Sequence, residues 1–258
     1  MDSVKIIFFD LDGTLIDPAT KAISPKVRQM VKQLRAKGIK VCAVTGRPCA
    51  SLPDFGDLEF DVMATFNGCF CYTDDAVLYS NPISKEDVQA VLENAAALGR
   101  PVSVAVRDRM AANGIDQDLA DYYRVPGLTL TVAEDFEDAC KEDIYQIMLG
   151  YRESYRDTLL RNTTGVKLAI SWERAADVIP ATGGKGCAIA QILKYFGFTP
   201  ADAIAFGDSF NDLEMLQAVG KGIAMGNAVP QLKAVADEVC GRVAEDGVYH
   251  YCLQHGLI

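Results

Sequence analysis

The stretch Val4-Lys5-Ile6-Ile7-Phe8-Phe9-Asp10-Leu11-Asp12-Gly13-Thr14 contains the first apolar run of the chain and closes it with two aspartates one residue apart. The uninterrupted apolar residues from Ile6 to Phe9 predict a buried strand. Two carboxylates at the end of such a strand repel each other and lose hydration, so they are costly unless they do chemistry or bind a cation. Gly13 and Thr14 predict a tight turn whose backbone amides could face an anion.

The composition of the 258-residue chain predicts a globular protein, since 50% of its residues are apolar and 23% are charged. A net charge of −10 argues against broad binding to nucleic acids or anionic membranes, which requires a basic surface. No apolar run approaches the roughly 20 residues needed to cross a bilayer, and no secretory signal is recognisable. We therefore expect a cytoplasmic protein, with a monomer as the default.

Strand and helix patterns alternate in the first and the last part of the chain. Strands are predicted at residues 6–9, 39–44, 61–66 and 203–206, and helices begin at Ser24-Pro25 and at Lys185. This alternation predicts an α/β fold with a parallel sheet and right-handed crossovers. We assign residues 1–81 and 184–258 to this domain.

The pattern changes between Pro82 and Gly183. A helix over residues 84–98 is followed by strand-like runs at 102–106, 128–132, 144–151, 166–171 and 175–179, with helical segments near 119–123 and 154–162. Consecutive strands favour an antiparallel sheet with helices on one side, which is an α+β unit. Residues 82–183 are therefore predicted to be a second domain inserted into the first.

Polar side chains follow the predicted parallel strands at the points where those strands end. Asp10 and Asp12 follow the first strand, Thr45 the second, and Asp208 the strand at 203–206, while Lys185 opens the helix before that strand. Because the carboxyl ends of parallel strands meet at one edge of a sheet, these residues are expected to converge there.

This set has a mechanism in phosphoryl transfer. Asp10 can attack phosphorus and form an aspartyl phosphate, and Asp12 can protonate the leaving alcohol and then deprotonate water. Mg²⁺ prefers oxygen ligands, which Asp10, Asp208 and the Asp12 carbonyl can supply. Lys185 can neutralise a phosphoryl oxygen, and the Thr45 hydroxyl with neighbouring loop amides can donate to the others.

The segment Gly207-Asp208-Ser209-Phe210-Asn211-Asp212 admits two interpretations. Asn211 could bind the substrate phosphate, and Asp212 could orient Lys185 or hold metal-bound water. Alternatively, Ser209 or Asp208 simply caps a helix that begins near Phe210. Each polar signal taken alone favours such a structural role, whereas four of them at strand ends favour a site.

These motifs resemble the haloacid dehalogenase-like hydrolase superfamily, and within it the Cof-type phosphatase branch with a type IIB cap. The matching segments are Asp10-Leu11-Asp12-Gly13-Thr14, Thr45-Gly46-Arg47, Lys185 and Gly207-Asp208-x-x-Asn211-Asp212. The resemblance implies a Rossmann-like core, an inserted α+β cap that closes over the site, and Mg²⁺-dependent hydrolysis of small phosphate monoesters, commonly sugar phosphates. It implies the following roles: Asp10 as nucleophile, Asp12 as general acid and base, Thr45, Gly46, Lys185 and Asn211 as phosphate-binding residues, Asp10, Asp12 and Asp208 as metal ligands, and Asp212 as a supporting residue.

Two other functions stay open at this stage. A phosphotransferase or phosphomutase would pass the aspartyl phosphate to a sugar instead of water, and a non-catalytic sensor would only bind phosphometabolites. In the insert, Trp172 is expected to pack in the core or support the hinge, while Arg107, Arg109 and Asn113 are candidates for contacts with the leaving group.

Overall fold

The computed structural model describes residues 4–258, apart from the side chain of Ser171, so the first three residues of the predicted range 1–81 lie outside it. The strands are β1 Ile6–Phe9, β2 Ile16–Asp17, β3 Ala22–Ile23, β4 Lys40–Val44, β5 Val62–Thr65, β6 Phe70–Tyr72, β7 Val77–Ser80, β8 Val102–Ala105, β9 Met110–Ala112, β10 Gln146–Gly150, β11 Val166–Trp172, β12 Ala175–Pro180, β13 Ala203–Gly207, β14 Lys221–Ala224 and β15 Glu238–Val239. The helices are α1 Pro25–Ala36, α2 Lys85–Ala97, α3 Gln117–Arg124, α4 Phe136–Ala139, α5 Arg156–Leu159, α6 Lys185–Phe196, α7 Leu213–Gln217, α8 Pro230–Val235 and α9 Gly247–Gln254. None of the helices in this range has the length and apolarity that crossing a bilayer requires.

The larger sheet has the strand order β15-β14-β13-β1-β4-β5-β6-β7. Its pairs from β15 to β5 are parallel, and β6 and β7 add an antiparallel hairpin at one edge. β1 lies at the centre because all four of its side chains are apolar and fully buried. The rings of Phe9 and Phe206 stack across β1 and β13 at a centroid distance of 5.1 Å. The predicted parallel sheet is confirmed, and the strand ends that carry the polar motifs are neighbours in it.

The smaller sheet lies between α2 and α6 in the chain and has the order β11-β12-β10-β8-β9, with every pair antiparallel. Neighbouring side chains along a strand point to opposite faces. On β10, Ile147 packs in one cluster with α2 and α5, whereas Met148 packs in another with Leu119 of α3. The expectation of helices on one side is therefore wrong for α3, which covers the opposite face together with Phe66 from the larger domain.

Local predictions failed mainly in this smaller sheet. Residues 128–132 are not a strand, and Val132 makes only an isolated bridge to Ala112. The Leu128 amide instead donates to the Tyr123 carbonyl at the end of α3, which turns the segment away from the sheet. The edge position is taken by β9, a strand too short for its periodicity to be recognised.

Candidate active site

Asp10 lies where the strands that carry the polar motifs come together. Its amide donates to the Phe206 carbonyl at 3.0 Å, which joins the ends of β1 and β13. Its side chain is only 8% exposed. The next residues turn sharply, with Gly13 at a φ of +86° and its amide donating to the Ile16 carbonyl at 2.8 Å. A glycine is favoured here because this φ strains residues with a Cβ.

Lys185 connects the first motif to the last. It begins α6, and its side chain is 1% exposed. Its Nζ lies 2.6 Å from Asp10 Oδ1 and 2.6 Å from Asp212 Oδ1. The other Asp212 oxygen, Oδ2, accepts hydrogen bonds from the amides of Asp208 and Ser209 at 2.9 Å each. Asp212 is thus fully engaged in holding Lys185 and the loop after β13, as expected for a supporting residue.

Asp208 completes a cluster of carboxylates. One oxygen each of Asp10, Asp208 and Asp212 lie within 4.8 Å of one another. A Cβ placed on Gly13 would lie 2.2 Å from Asp208 Oδ2, so only glycine leaves room for this carboxylate. Asn227 supports the arrangement by donating from Nδ2 to the Gly13 carbonyl at 2.8 Å.

The electrostatics of this cluster favour a bound cation. Burial raises the pKa of Asp10, the charges of Asp212 and Asp12 add to this, and Lys185 opposes it. Burial also raises the pKa of Asp208 well above its ordinary value, and the charges of Asp10 and Asp212 add to the rise. Burial by itself would lower the pKa of Lys185, but the two carboxylates beside it outweigh that effect and raise it. The donor set, which consists of clustered carboxylate oxygens, fits a hard divalent cation such as Mg²⁺.

Asp12 has a partner that the sequence did not specify. Arg47 donates from Nε to Asp12 Oδ2 at 2.7 Å and from Nη2 to Oδ1 at 2.6 Å. The same guanidinium donates from Nη1 to the Ser51 carbonyl at 2.8 Å, which fixes its plane. Such a two-point contact orients a carboxylate more strictly than one bond would. Arg47 follows Thr45-Gly46 in the matched motif, so its position was visible in the sequence but its target was not.

Three of the four predicted phosphate-binding residues border the same space, whereas the fourth, Lys185, contacts Asp10 and does not line the cavity. The Thr45 hydroxyl accepts from the Arg47 amide at 3.1 Å, and Thr45, Gly46 and Asn211 line a cavity beside Asp10. Asn211 donates from Nδ2 to Asn67 Oδ1 at 2.9 Å, whereas its Oδ1 is buried without a hydrogen-bond partner among residues 4–258.

The cavity has a volume of about 250 Å³ and extends from the carboxylates into the inserted region. Trp172 also lines it, whereas the sequence favoured packing in the core or support of the hinge for this residue. None of the three candidate residues on the β8–β9 side contributes to its wall. Arg109 pairs instead with Asp135 and Glu142. Asn113 accepts from the Val102 amide, and Arg107 lies over the Phe70 ring.

A buried polar network joins the two sheets and was not predicted. Asp177 of β12 is 1% exposed, and its Oδ2 accepts from Asn67 Nδ2 at 2.9 Å. Its Oδ1 accepts from the Tyr122 hydroxyl at 2.8 Å, and Tyr122 lines the cavity. Burial raises the pKa of Asp177 to about 7, although hydrogen bonds from Tyr122 and Asn67 oppose the rise. A carboxylate inside the apolar stretch 175–179 was the signal that could have indicated this contact.

Comparisons with known proteins agree with this fold. A family model of haloacid dehalogenase-like hydrolases matches residues 7–252. This chain is a haloacid dehalogenase-like hydrolase. Among curated members, this hydrolase is 33% identical to a protein named putative phosphatase YkrA from Bacillus subtilis, over 100% of both chains. It is 28% identical to a protein named HMP-PP phosphatase from Klebsiella pneumoniae, over 98% of this chain and 96% of that one.

A solved structure from the haloacid dehalogenase superfamily has the same fold as this hydrolase. The structure of the subclass IIB sugar phosphatase BT4131 superimposes with a TM-score of 0.91 at 27% identity, covering 99% of this chain and 100% of that one. The agreement extends over both sheets. A core with a parallel sheet and an inserted cap is therefore the architecture of this hydrolase, as the motifs implied.

Proposed function

We propose that this haloacid dehalogenase-like phosphatase is Mg²⁺-dependent and hydrolyses small phosphate monoesters through an aspartyl phosphate on Asp10. The observation that carries the proposal is the convergence of Asp10, Asp208 and Asp212 within 4.8 Å, with Lys185 bonded to two of them. In this proposal residues 82–183 form the cap, and residues 1–81 and 184–258 form the catalytic core.

Asp10 is the nucleophile, and the oxygen not bonded to Lys185, Oδ2, attacks phosphorus. The bond from phosphorus to the leaving oxygen breaks, and Asp12 supplies the proton that the alcohol takes. Water then attacks the phosphorus, Asp12 takes its proton, and the Asp10 carboxylate is released with inorganic phosphate. Mg²⁺, held by Asp10, Asp208 and the Asp12 carbonyl, would neutralise charge on the phosphoryl group.

Arg47 has a specific part in this cycle. Its contact with both Asp12 oxygens fixes the orientation of the carboxylate that is assigned to exchange protons with the leaving alcohol and with water. Thr45, the Gly46 amide and the polar side chain of Asn211 are assigned to the phosphoryl oxygens, because all three border the cavity beside Asp10.

The natural substrate is a small phosphorylated metabolite in this proposal. Sugar phosphates are the expectation from the sequence, and similarity to a subclass IIB sugar phosphatase supports them. Relatives named HMP-PP phosphatase and 5-amino-6-(5-phospho-D-ribitylamino)uracil phosphatase have names that point to other leaving groups. The names of relatives therefore define the reaction better than they define the leaving group.

The decisive experiment measures phosphate release from acetyl phosphate by purified protein with Mg²⁺ and with a chelator. Release above the spontaneous hydrolysis of acetyl phosphate is expected only with the metal, and Asp10→Asn is expected to lower this enzymatic rate by at least about 10³-fold, because the nucleophile is lost. The exposed residue Asp75 provides the matched control Asp75→Asn, which should act like wild type. Phosphate release by Asp10→Asn at the wild-type rate would contradict the proposal.

A further inference from the structure

We propose that the leaving group which this cavity accepts is a small, flat and largely apolar ring, aromatic or heteroaromatic. The inference rests on the proposed phosphatase function and concerns the half of the substrate that the cap contacts. It narrows the substrate class away from polyhydroxylated sugars.

The wall that the cap contributes is apolar. The inserted region supplies eight of the described residues that line the cavity, and none of the eight carries a charge. Rings and thioethers make up much of this wall, including Met110, Tyr122, Leu128, Met148 and Trp172. Pockets that bind small molecules use apolar and aromatic walls for affinity and a few polar groups for orientation. Here the charged groups are all at the phosphate end.

The two phenolic hydroxyls of the cap wall already take part in hydrogen bonds within the protein. The Tyr122 hydroxyl donates to Asp177 Oδ1 at 2.8 Å. The Tyr123 hydroxyl shares a hydrogen bond of 2.5 Å with Ser103. A sugar with several hydroxyls buried against this surface would lose water and gain few partners, which lowers affinity. An aromatic ring has no such requirement.

Polar groups on the core side of the wall are engaged in the same way. The three terminal nitrogens of the Arg47 side chain all donate, Nε and Nη2 to Asp12 and Nη1 to the Ser51 carbonyl. The Ser51 hydroxyl donates to the Pro48 carbonyl at 2.9 Å. Most of these N–H and O–H groups are therefore committed within the protein, which again disfavours a polyol.

Trp172 offers a rigid surface on which a ring can stack. The Arg174 guanidinium lies 4.2 Å from the centroid of its indole ring. Arg174 is itself held by Asp118 Oδ1 at 3.2 Å and by Asp121 Oδ2 at 3.0 Å. This support limits rotation of the indole before any ligand arrives. The volume of about 250 Å³ lies below the roughly 300–1,000 Å³ of pockets for drug-sized ligands, which indicates a single small ring.

The test compares benzyl phosphate with glucose 6-phosphate, since both release phosphate from a primary alcohol and differ in the group that meets the cap. Acetyl phosphate is measured alongside them, because it has no ring or sugar. We expect kcat/KM for benzyl phosphate to exceed that for glucose 6-phosphate by at least about 10-fold. In Trp172→Ala, the ratio of kcat/KM for benzyl phosphate to that for acetyl phosphate should fall by about 10-fold. The exposed ring of Tyr195 lies outside the cavity wall, so Tyr195→Ala should keep the wild-type ratio.

Binding can be followed independently of turnover. Trp172 is the single tryptophan of the chain, so its fluorescence reports directly on this wall. Benzylphosphonate, which is not hydrolysed, should change that fluorescence saturably in the presence of Mg²⁺, and glucose 6-phosphate should not. Hydrolysis of acetyl phosphate together with equal or better use of glucose 6-phosphate would overturn this inference and leave the proposed function standing. If no phosphate is released from any of the three compounds, the proposed function is overturned and this inference with it.

Discussion

The substitution Asp177→Asn should change how the stability of the protein depends on pH. Asp177 is buried between the two sheets, and its pKa rises from an ordinary 3.8 to about 7 in the folded state. Between these values the folded protein keeps a proton that the unfolded chain has lost. Stability contributed by the neutral carboxyl is therefore present at low pH and is lost as the pH rises towards 7.

The magnitude follows from the size of the pKa change. Each pH unit between the unfolded and folded pKa values of Asp177 changes the free energy of unfolding by about 1.4 kcal/mol, so the largest change is about 4 kcal/mol. Asparagine has the same shape and no proton to lose. The free energy of unfolding of Asp177→Asn minus that of wild type should therefore rise by up to about 3 kcal/mol between pH 5 and pH 7 and stay level above it.

Urea denaturation of both proteins at pH 5, 6, 7 and 8, at fixed Mg²⁺ and ionic strength, measures this difference. Fluorescence of Trp172 is a suitable probe, because Trp172 pairs with Ala175, two residues before Asp177 in the same sheet. Other carboxyls titrate in both proteins and cancel in the difference. The control Asp75→Asn changes an exposed carboxyl and should stay within about 0.5 kcal/mol of wild type. The difference in free energy of unfolding between Asp177→Asn and wild type could instead be independent of pH. That result would refute a raised pKa for Asp177, because hydrogen bonds from Tyr122 and Asn67 would then keep its carboxylate ionised at every pH tested.

Three further perturbations test the site. Lys185→Met leaves the buried carboxylates of Asp10 and Asp212 without the lysine that pairs with them. The free energy of unfolding, measured with urea, should therefore fall by about 3–5 kcal/mol. A loss below about 1 kcal/mol would contradict this expectation. Gly13→Ala places a Cβ 2.2 Å from Asp208 Oδ2, whereas Gly38→Ala meets nothing within 4 Å at a similar φ. Gly13→Ala should lower kcat/KM for acetyl phosphate by about 100-fold, and Gly38→Ala should leave it unchanged. Equal activities of the two variants would contradict the claim that Asp208 needs a glycine at position 13. Mg²⁺ at 100 times its dissociation constant should stabilise the wild-type protein by about 2.7 kcal/mol in thermal unfolding. Asp208→Asn should lose most of that stabilisation. The same stabilisation in the variant would show that Asp208 is not a metal ligand.

Local sequence patterns predicted the core well because its elements are encoded by neighbouring residues. Ser24 caps α1 through a hydrogen bond from the Val27 amide, and α6 spans residues 185–196 as its apolar spacing predicts. The insert was predicted less well. Its segment at 128–132 is apolar in the way a strand is, but hydrogen bonding to the end of α3 decides its path.

The sequence by itself determined which chemistry-bearing residues follow the strands, and the order of parallel strands then required Asp10, Lys185 and Asp208 to meet. Only the tertiary structure decided what surrounds them. Arg47 reaches Asp12 across 35 residues of chain, and Asn67 reaches Asp177 across 110. The first contact depends on how two loops of the core pack together, and the second on how the cap sheet lies on the core; no local periodicity records either relation. The apolar wall with Trp172 has the same origin, because its residues come from separate loops and strands that become neighbours only when the two sheets pack.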